Sequence, residues 1–533
     1  MGSRNLRNPT PALSQSSMNF TFLNGFINWF FHYSSAKKQR WLTWIFFAVL
    51  LLGGIYLWGI FLNWGKVSFT FSDWNAITGP RLAFLRDAMT KRVLPLHISD
   101  PAALQAPTDR FLSVPNTFMG PTVILLRYLT MQQFIIVQTI LMFVVGFAGL
   151  LVLGKQLKLS PFAFTLLFFL FNFNGHILSH YSVGDFSWNS YFLLAWFAVL
   201  VVELLQKKRV GWAWVTEMAL VMFLMFLQGA FHFFLYSLTF LLVLAVFSPK
   251  YLLTVAETIA ASAAISAVRI APALLETGTL KVSYLGGYPM VHDLWDALVT
   301  PTFPGVYSTL NGVNWGMGNW EYTIYIGLLG ALFLIFFGIY RTIKSGRSNS
   351  AGLDGQTTPA AQGSPYQLLL LPCLVFTLFS FTAVFEALRN LLRIPPLTGE
   401  RVASRLFIFA VLFLIVLAVY ELQKWLDSTQ LSSLMALSIL LLLGFELNDL
   451  WQNYQFWGVS YAATTFTLQP SFKQGHWIVA NHPDSPYTIR LTHGLEITCL
   501  TIIVLAVLTI WDKRRAAKAA QLDNNLEDLS TPV

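Results

Sequence analysis

Charged residues are scarce in this sequence, and that scarcity excludes an ordinary soluble protein. Asp, Glu, Lys and Arg make up 11% of the 533 residues, whereas 55% of the residues are apolar. A soluble domain carries roughly 25% charged residues. The 47 Phe and 18 Trp exceed what one protein core can bury, so most of the apolar side chains must face lipid. We therefore predict an integral membrane protein.

Cysteine is nearly absent, and so are several catalytic motifs. Cys373 and Cys499 both lie in apolar stretches, which argues against a structural disulfide or a thiolate metal site. The sequence has no phosphate-binding glycine loop, no dinucleotide-binding glycine motif, no His-Glu-x-x-His and no Cys-x-x-Cys. Nucleotide hydrolysis and zinc proteolysis are therefore disfavoured. The net charge of +9 is explained by basic cytoplasmic loops, so we expect no nucleic-acid partner.

Long apolar runs predict an all-α polytopic membrane protein with about twelve transmembrane helices. Basic clusters recur in alternate connections between these runs, which places both termini in the cytoplasm. The predicted spans lie near residues 42–63, 132–153, 161–178, 187–205, 211–228, 231–248, 252–272, 323–340, 366–384, 406–422, 430–447 and 493–511.

The remaining segments define the domain organisation. Residues 1–41 form a cytoplasmic lead with a candidate interfacial helix, 42–511 form the transmembrane domain, and 512–533 form a cytoplasmic tail. Residues 345–364, rich in Gly, Ser and Pro, are typical of a flexible cytoplasmic linker. The opposite side receives four external loops, in which we expect interfacial helices; the loops lie near 64–131, 273–322, 385–405 and 448–492.

The strongest catalytic candidate is Asp73, about ten residues beyond the outer end of the first span. A carboxylate beside Trp74 at the apolar boundary can have a raised pKa and accept a proton from a hydroxyl group. The alternative is a helix-capping or turn residue. Arg81 and Arg86 follow within a few turns and suit a phosphate, although lipid headgroups are an equal alternative.

A second group of polar residues lies between the third and fourth predicted spans. His176 and His180 have the i, i+4 spacing that places two side chains on one helix face, and Asp185 follows them. This spacing is compatible with a metal or a phosphate, but two histidines without a third ligand are a weak metal signal. A polar membrane rim is the simpler interpretation.

Arginines near the outer ends of two spans form the third group. Arg269 lies within a predicted span, where an ionisable residue indicates a function or a paired partner, here Glu276. Arg401 and Arg405 also have the i, i+4 spacing, and two guanidinium groups on one helix face suit a phosphate or pyrophosphate. Basic residues on the external side run against the usual charge bias, which favours a function for this pair.

The layout resembles the GT-C superfamily of polytopic glycosyltransferases, and within it the bacterial YfhO-like membrane proteins. The stretches that carry the resemblance are the loop with Asp73, the Asn174-Gly175-His176 turn leading to Trp188, the segment from Glu321 to Gly327, and Ile394-Pro395-Pro396 followed by Arg401 and Arg405. One departure is that many relatives have a paired acidic motif where this chain has Asp73-Trp74.

The resemblance implies transfer of a sugar from a polyprenyl-phosphate donor to an acceptor on the external face of a bacterial cytoplasmic membrane. Asp73 would then be the general base, and Arg269, Arg401 or Arg405 would stabilise the departing lipid phosphate. A divalent metal is an open alternative, not a certain cofactor. A non-catalytic GT-C-like scaffold, an accessory subunit bound to protein partners, is the second functional interpretation, and a secondary transporter is the third.

Overall fold

The chain is described by a computed structural model that covers residues 18–33, 37–207, 210–276, 284–303, 318–345, 365–393, 399–466 and 477–530. The predicted linker 345–364 lies outside these residues except for residue 345. Within them the secondary structure is helical, and β-pairing is limited to isolated bridges. The helices are α1 Met18–Phe31, α2 Lys37–Phe61, α3 Gly79–Lys91, α4 Met131–Gln156, α5 Pro161–Asn172, α6 Gly175–Val183, α7 Leu194–Gln206, α8 Trp212–Leu227, α9 Phe231–Phe247, α10 Leu252–Ile265, α11 Ala267–Ala273, α12 Val291–Val299, α13 Gly327–Phe333, α14 Leu370–Phe379, α15 Thr382–Leu392, α16 Phe407–Ser428, α17 Ser433–Trp457, α18 Val459–Phe466 and α19 Ser485–Ser530.

The prediction of an α-helical multi-pass membrane protein is confirmed. Among the described residues, eight helical stretches are long and apolar enough to cross a bilayer, and the bent pair of α10 and α11 would make nine. Three further predicted spans correspond to the shorter apolar helices α8, α9 and the stretch 365–379, so the count of twelve is not established. The eight stretches are Gln39–Phe61, Met131–Gln156, Pro161–Val183, Phe186–Gln206, Gly327–Ser345, Ala403–Ser428, Ser433–Trp457 and Ser485–Arg515.

Helix α16 is the centre of the bundle. In the span Ala403–Ser428, 94% of the most apolar stretch is buried, compared with 17% in the spans that contain α17 and α19. Helices α5 and α14 and the π-helical stretch Leu334–Arg341 pack around α16. The exposed apolar faces of α17 and α19 therefore form part of the surface that faces lipid.

Close contact between α4 and the stretch leading into α7 depends on glycine. A Cβ atom added at Gly146 would lie 2.8 Å from the Cβ atom of Phe192 and 2.9 Å from its backbone oxygen. Small residues at such crossings allow the backbones of membrane helices to approach, which gains dispersion energy that lipid cannot supply.

The bend between α10 and α11 is stabilised by a side chain from the last span. The two helices meet at 69°, around Ser266. The Thr498 hydroxyl donates to the backbone oxygen of Ile265 at 3.0 Å and accepts from the backbone N–H of Val268 at 3.0 Å. Backbone groups freed by a break inside a membrane need such partners.

The four predicted external loops come together at one end of the bundle, which we name the loop end. The segment 62–130 bonds to the last loop, where the backbone N–H of Val479 donates to Asp87. The segment after α11 bonds to the one before α16, since the N–H of Leu285 donates to the oxygen of Arg401. This meeting of distant segments places the polar residues of the loops close to one another.

We predict that Gly146→Leu destabilises the bundle by about 1–3 kcal/mol, the usual cost of overpacking a tight contact. Gly53→Leu is the matched control, because nothing lies within 4 Å of a Cβ atom built at Gly53 in α2. Thermal unfolding of the detergent-purified chain measures both. Equal losses of stability in the two variants would contradict the packing role of Gly146.

Candidate functional site

Asp73 lies in the loop between α2 and α3, at the start of a π-helical turn, Trp74–Thr78. The preceding residue, Ser72, has a φ of +45°, in the left-handed region that non-glycine residues seldom adopt. The Asp73 side chain makes no capping hydrogen bond to this turn. The alternative of a helix-capping residue is therefore wrong, and within the described part of the chain no hydrogen bond to its carboxylate is found.

The turn after Asp73 is fastened to the end of α6. The Trp74 indole Nε1–H donates to the oxygen of Ser182 at 3.0 Å, and the Thr78 hydroxyl donates to the oxygen of Gly184 at 2.6 Å. Gly184 has a φ of +111°, and a Cβ atom there would lie 2.2 Å from the backbone nitrogen of Trp74. Only glycine permits this backbone approach. This approach places Asp73 beside Asp185, the residue that follows Gly184.

Asp185 is held in place by one of the two histidines of α6, His180. The Nδ1 atom of His180 lies 2.7 Å from a carboxylate oxygen of Asp185. The rings of His176 and His180 lie 4.6 Å apart and both contact the indole of Trp188. The two histidines therefore share a helix face as their spacing predicts, and His180 orients Asp185.

Asn174 begins α6 and connects it to a further segment of the site. Its side-chain oxygen accepts from the N–H groups of His176 and Ile177, which is the usual role of an N-cap residue. The N–H of Gly175 donates to the oxygen of Tyr325 at 2.7 Å, and a Cβ atom at Gly175 would lie 2.5 Å from the Tyr325 nitrogen. The segment from Glu321 to Gly327 is thereby placed against α6.

Arg405 and Glu321 form a two-point ion pair. The guanidinium Nε–H and Nη2–H groups of Arg405 donate to the two carboxylate oxygens of Glu321 at 2.7 and 2.5 Å. The same guanidinium lies 5.4 Å from the centre of the Trp188 ring. Such a bidentate pair fixes both side chains in one geometry.

The expectation that Arg401 and Arg405 share one helix face is wrong. Arg401 precedes a 3-10 turn, Ala403–Leu406, and helix α16 begins only at Phe407. The Arg401 side chain is exposed, whereas the side chain of Arg405 is 14% exposed. The backbone is extended at Val402, before the turn, so the two residues do not lie on one helix.

A fourth carboxylate, Glu400, lies near this ion pair. Glu400 accepts from the hydroxyl of Tyr236 at 2.6 Å and lies 2.9 Å from Nδ1 of His232. Burial alone would raise the pKa of Glu400, but His232 and Arg405 outweigh it and lower the pKa to about 2. Glu400 is therefore a permanent anion that holds its surroundings together.

The pKa of Asp73 is shifted in the opposite direction. Withdrawal from water raises it to about 8, and the charges of Asp185 and Glu321 add to the increase. Burial also raises the pKa of Asp185. Two neighbouring carboxyl groups in a site of low polarity cannot both ionise freely, because the second charge repels the first.

Arg81 and Arg269 both donate hydrogen bonds to backbone oxygens of the first loop. The Arg81 guanidinium donates to the oxygens of Ala103, Leu104 and Asn116 at 3.0–3.1 Å. Arg269 donates through Nη2 to oxygens of residues 114, 115 and 117 at 2.8–3.2 Å. Both buried cations thus hold one stretch of the first loop. The Nε and Nη1 atoms of Arg269 have no hydrogen-bond partner among the described residues, and the assignment of Arg81 and Arg269 to a substrate phosphate stays a prediction.

The predicted partner of Arg269 is also wrong. Glu276 instead accepts from Arg110, at 3.0 Å. Arg86 lies exposed on α3. The sequence alone does not predict a site role for His232, Arg110, Glu321 or Glu400. His232 does interrupt an apolar helix, and such a residue requires a polar partner.

A small cavity of about 50 Å³ lies between the Asp185 turn and the Arg81 helix. Thr78, Asn116 and Gln228 contribute polar groups to its wall.

The chain matches no protein-family model, no curated protein and no solved structure in three comparisons. The chemistry of the site must therefore be judged from its geometry.

We predict that Arg81→Met destabilises the protein by about 3 kcal/mol or more, because three buried backbone oxygens lose their donor. Arg86→Met, on the same helix but exposed, should change stability by less than about 0.5 kcal/mol. Thermal unfolding in detergent provides the comparison. If the two variants are equally stable, Arg81 does not support the loop.

Asp73→Asn should stabilise the protein most at alkaline pH. The folded-state pKa of Asp73 is raised from 3.8 to about 8, so its contribution to stability is greatest at low pH and is lost as the pH rises to about 8. Asparagine resembles the protonated form of Asp73 and does not ionise, so the variant does not lose this stability as the pH rises. The difference in melting temperature between variant and wild type should therefore grow from about pH 5 to about pH 8 and then level off. A difference independent of pH would contradict the shift.

Proposed function

We propose that this chain is a membrane glycosyltransferase of the GT-C type, with Asp73 as the general base. It would transfer a sugar from a polyprenyl-phosphate donor to an acceptor on the external face of a bacterial cytoplasmic membrane. The observation that carries the proposal is the placement of Asp73 beside Asp185 at the loop end, with no hydrogen bond to the Asp73 carboxylate among the described residues.

The chemistry requires one proton acceptor. The acceptor hydroxyl loses its proton to the Asp73 carboxylate, its oxygen bonds to the anomeric carbon, and the bond from that carbon to the phosphate oxygen breaks. A base works best when its pKa lies near the working pH. A pKa of about 8 meets this condition and gives Asp73 a stronger affinity for the proton than an ordinary carboxylate has.

The missing acidic neighbour of Asp73 has a spatial substitute. Trp74 occupies the position where many GT-C relatives have a second acid, but Asp185, just after the end of α6, lies near Asp73 and acts on it through its charge. His180 orients this carboxylate at 2.7 Å. We assign Asp185 the role of raising the proton affinity of Asp73. We assign Arg401, which is exposed, the role of phosphate ligand.

Arg405 has a positioning role in this proposal. Its guanidinium is committed to Glu321, so it stabilises the developing phosphate charge only through the field that it adds to the site. The exposed Arg401 acts on Asp185 through its charge and is free of such a bidentate partner among the described residues. This division replaces the expectation of two equivalent arginines.

The residues of this site do not fit a bound metal. Arg405 holds Glu321, and His180 holds Asp185. Within the described residues, Asp73, Asp185 and Glu321 do not bring three ligand atoms within 4.8 Å of one another. We therefore route no step through a metal at this site.

An apolar groove supports a lipid-linked donor. It has a volume of about 440 Å³ and lies between α5, α13, α16 and α17. Helix α13 begins at Gly327, six residues after Glu321, so the groove and the polar site share one segment. A polyprenyl chain in this groove would keep its phosphate near the loop end. The proposal includes twelve crossings, with α8, α9 and α14 as the short ones, and both termini in the cytoplasm.

The test is glycan and lipid-linked sugar profiling of membranes that carry wild-type protein, Asp73→Asn or Asp296→Asn at matched abundance. Asp296 is the control because it is an exposed carboxylate of the loop end, in α12. We expect Asp73→Asn to lose one product by a factor of about 10² or more, the usual contribution of a general base. Asp296→Asn should keep it.

Two outcomes would overturn the proposal. If the profile is unchanged in Asp73→Asn but altered when the whole protein is deleted, the chain acts as a scaffold for partner subunits. If deletion of the protein changes the uptake of a radiolabelled solute and leaves the glycan profile unchanged, the chain is a transporter. Once the product is identified, the kcat/KM of the glycosyl transfer should rise with pH and level off above about pH 8, where Asp73 is ionised.

A further inference from the structure

A second polar cluster lies where the first and last loops of the loop end join. The N–H of Ala480 donates to the oxygen of His97, and the N–H of Ser99 donates to the oxygen of Ile478, both at 3.0 Å. Ile98 and Val479 form an antiparallel bridge between these bonds. Two segments nearly 400 residues apart in sequence are thus held in register by their backbones.

Three side chains with metal-binding groups meet at this join. His97, Asp109 and His482 each offer one ligand atom, and these atoms lie within 4.8 Å of one another. The rings of the two histidines lie 4.0 Å apart. The Nε2 atom of His482 lies 2.8 Å from a carboxylate oxygen of Asp109. The neighbouring backbone bonds position these groups, so the set is preorganised.

His97 is fully buried, and its hydrogen bonding is incomplete. Its Nε2 atom lies 3.3 Å from a carboxylate oxygen of Asp484, whereas its Nδ1 atom has no hydrogen-bond partner among the described residues. An Nε2–H donated to Asp484 leaves a lone pair on Nδ1. A histidine whose second nitrogen donates to a carboxylate is the usual arrangement of a metal ligand, because the carboxylate fixes the tautomer and strengthens the donor nitrogen.

The charges around the cluster favour a divalent cation. Arg110 binds Asp484 through Nε and Nη2 at 2.7 and 3.2 Å, and it binds Glu276 at 3.0 Å. The Asp109 carboxylate contacts His482 and makes no ion pair with a lysine or arginine among the described residues, so its negative charge can act on a bound cation. An open cavity of about 560 Å³, lined by Asp109 and His482, gives an ion access from solvent.

We propose that His97, Asp109 and His482 bind a divalent transition-metal ion of the Zn²⁺ class, with Asp484 as the outer partner of His97. Two imidazole nitrogens and one carboxylate oxygen form a donor set that Zn²⁺ accepts, and a water molecule completes four-coordination. Ligand atoms in a tetrahedral zinc site lie about 3.3 Å apart. The exposed His482 and the half-buried Asp109, whose atoms lie 2.8 Å apart, must therefore separate slightly from each other around the ion. The ion would join the first loop to the last.

The test uses the full chain, purified in detergent without a polyhistidine tag, freed of metal with a chelator and then exposed to Zn²⁺. After gel filtration, metal analysis should find about one zinc per chain, as for a closed protein site. His482→Gln should weaken binding by at least about tenfold, the scale on which even outer ligand partners matter. Zinc should raise the melting temperature of wild type and not of this variant.

His292→Gln is the matched control. His292 also lies exposed at the loop end with a carboxylate nearby, since its Nε2 atom lies 3.2 Å from Asp293, but it belongs to no three-residue cluster among the described residues. Its zinc binding should equal that of wild type. Co²⁺ in place of Zn²⁺ should give the visible absorption of a four-coordinate ion in wild type and in His292→Gln only. Absence of zinc from wild type, or equal binding by His482→Gln, would overturn the proposal. The site does not rest on glycosyl transfer, so either result leaves the proposed function to its own test.

Discussion

The contact between the Asp73 turn and Gly184 is the constraint on which the candidate site depends. The Trp74 side chain and the Thr78 hydroxyl each donate to a backbone oxygen at the end of α6. These bonds are short-range and directional, so the first loop has one position relative to the α6 helix. Asp73, Asp185 and the histidines of α6 become neighbours as a result, although more than 100 residues separate the two carboxylates.

Pairing explains how so many charges are tolerated near the apolar bundle. Glu321 is held by Arg405, Asp484 by Arg110, and Asp185 by His180. A buried charge with a well-placed partner avoids most of the cost of leaving water, whereas removing one partner exposes that cost in full. Asp73 has no such partner among the described residues, and its pKa is raised to about 8. Burial raises the pKa of Asp185 as well, in spite of its contact with His180.

Helical character and membrane insertion were predictable because composition and hydropathy report directly on the solvent that surrounds each segment. The span count was less predictable, because α8, α9 and α14 fall short of a full bilayer crossing. Local spacing correctly placed His176 and His180 on one face, since α6 covers both residues. It failed for Arg401 and Arg405 because the helix begins after them.

Partners distant in the sequence could not be derived from it. Glu276 binds Arg110, not Arg269, and Arg269 binds the first loop. These pairings depend on how the loops cross, which no local pattern encodes. The cluster of His97, Asp109 and His482 escaped notice for the same reason, because each residue lies alone in its own stretch.

The bend between α10 and α11 has a consequence for how the chain is made. Its backbone groups at Ile265 and Val268 bond to Thr498, which the ribosome adds more than 200 residues later. His97 and Asp109 likewise meet His482 only after nearly all of the chain has been translated. A nascent chain therefore carries unpaired backbone groups at this bend, and an unjoined loop end, until the segment that contains His482 and Thr498 has been made. Synthesis of α19 thus supplies the partner of a break that lies far earlier in the chain.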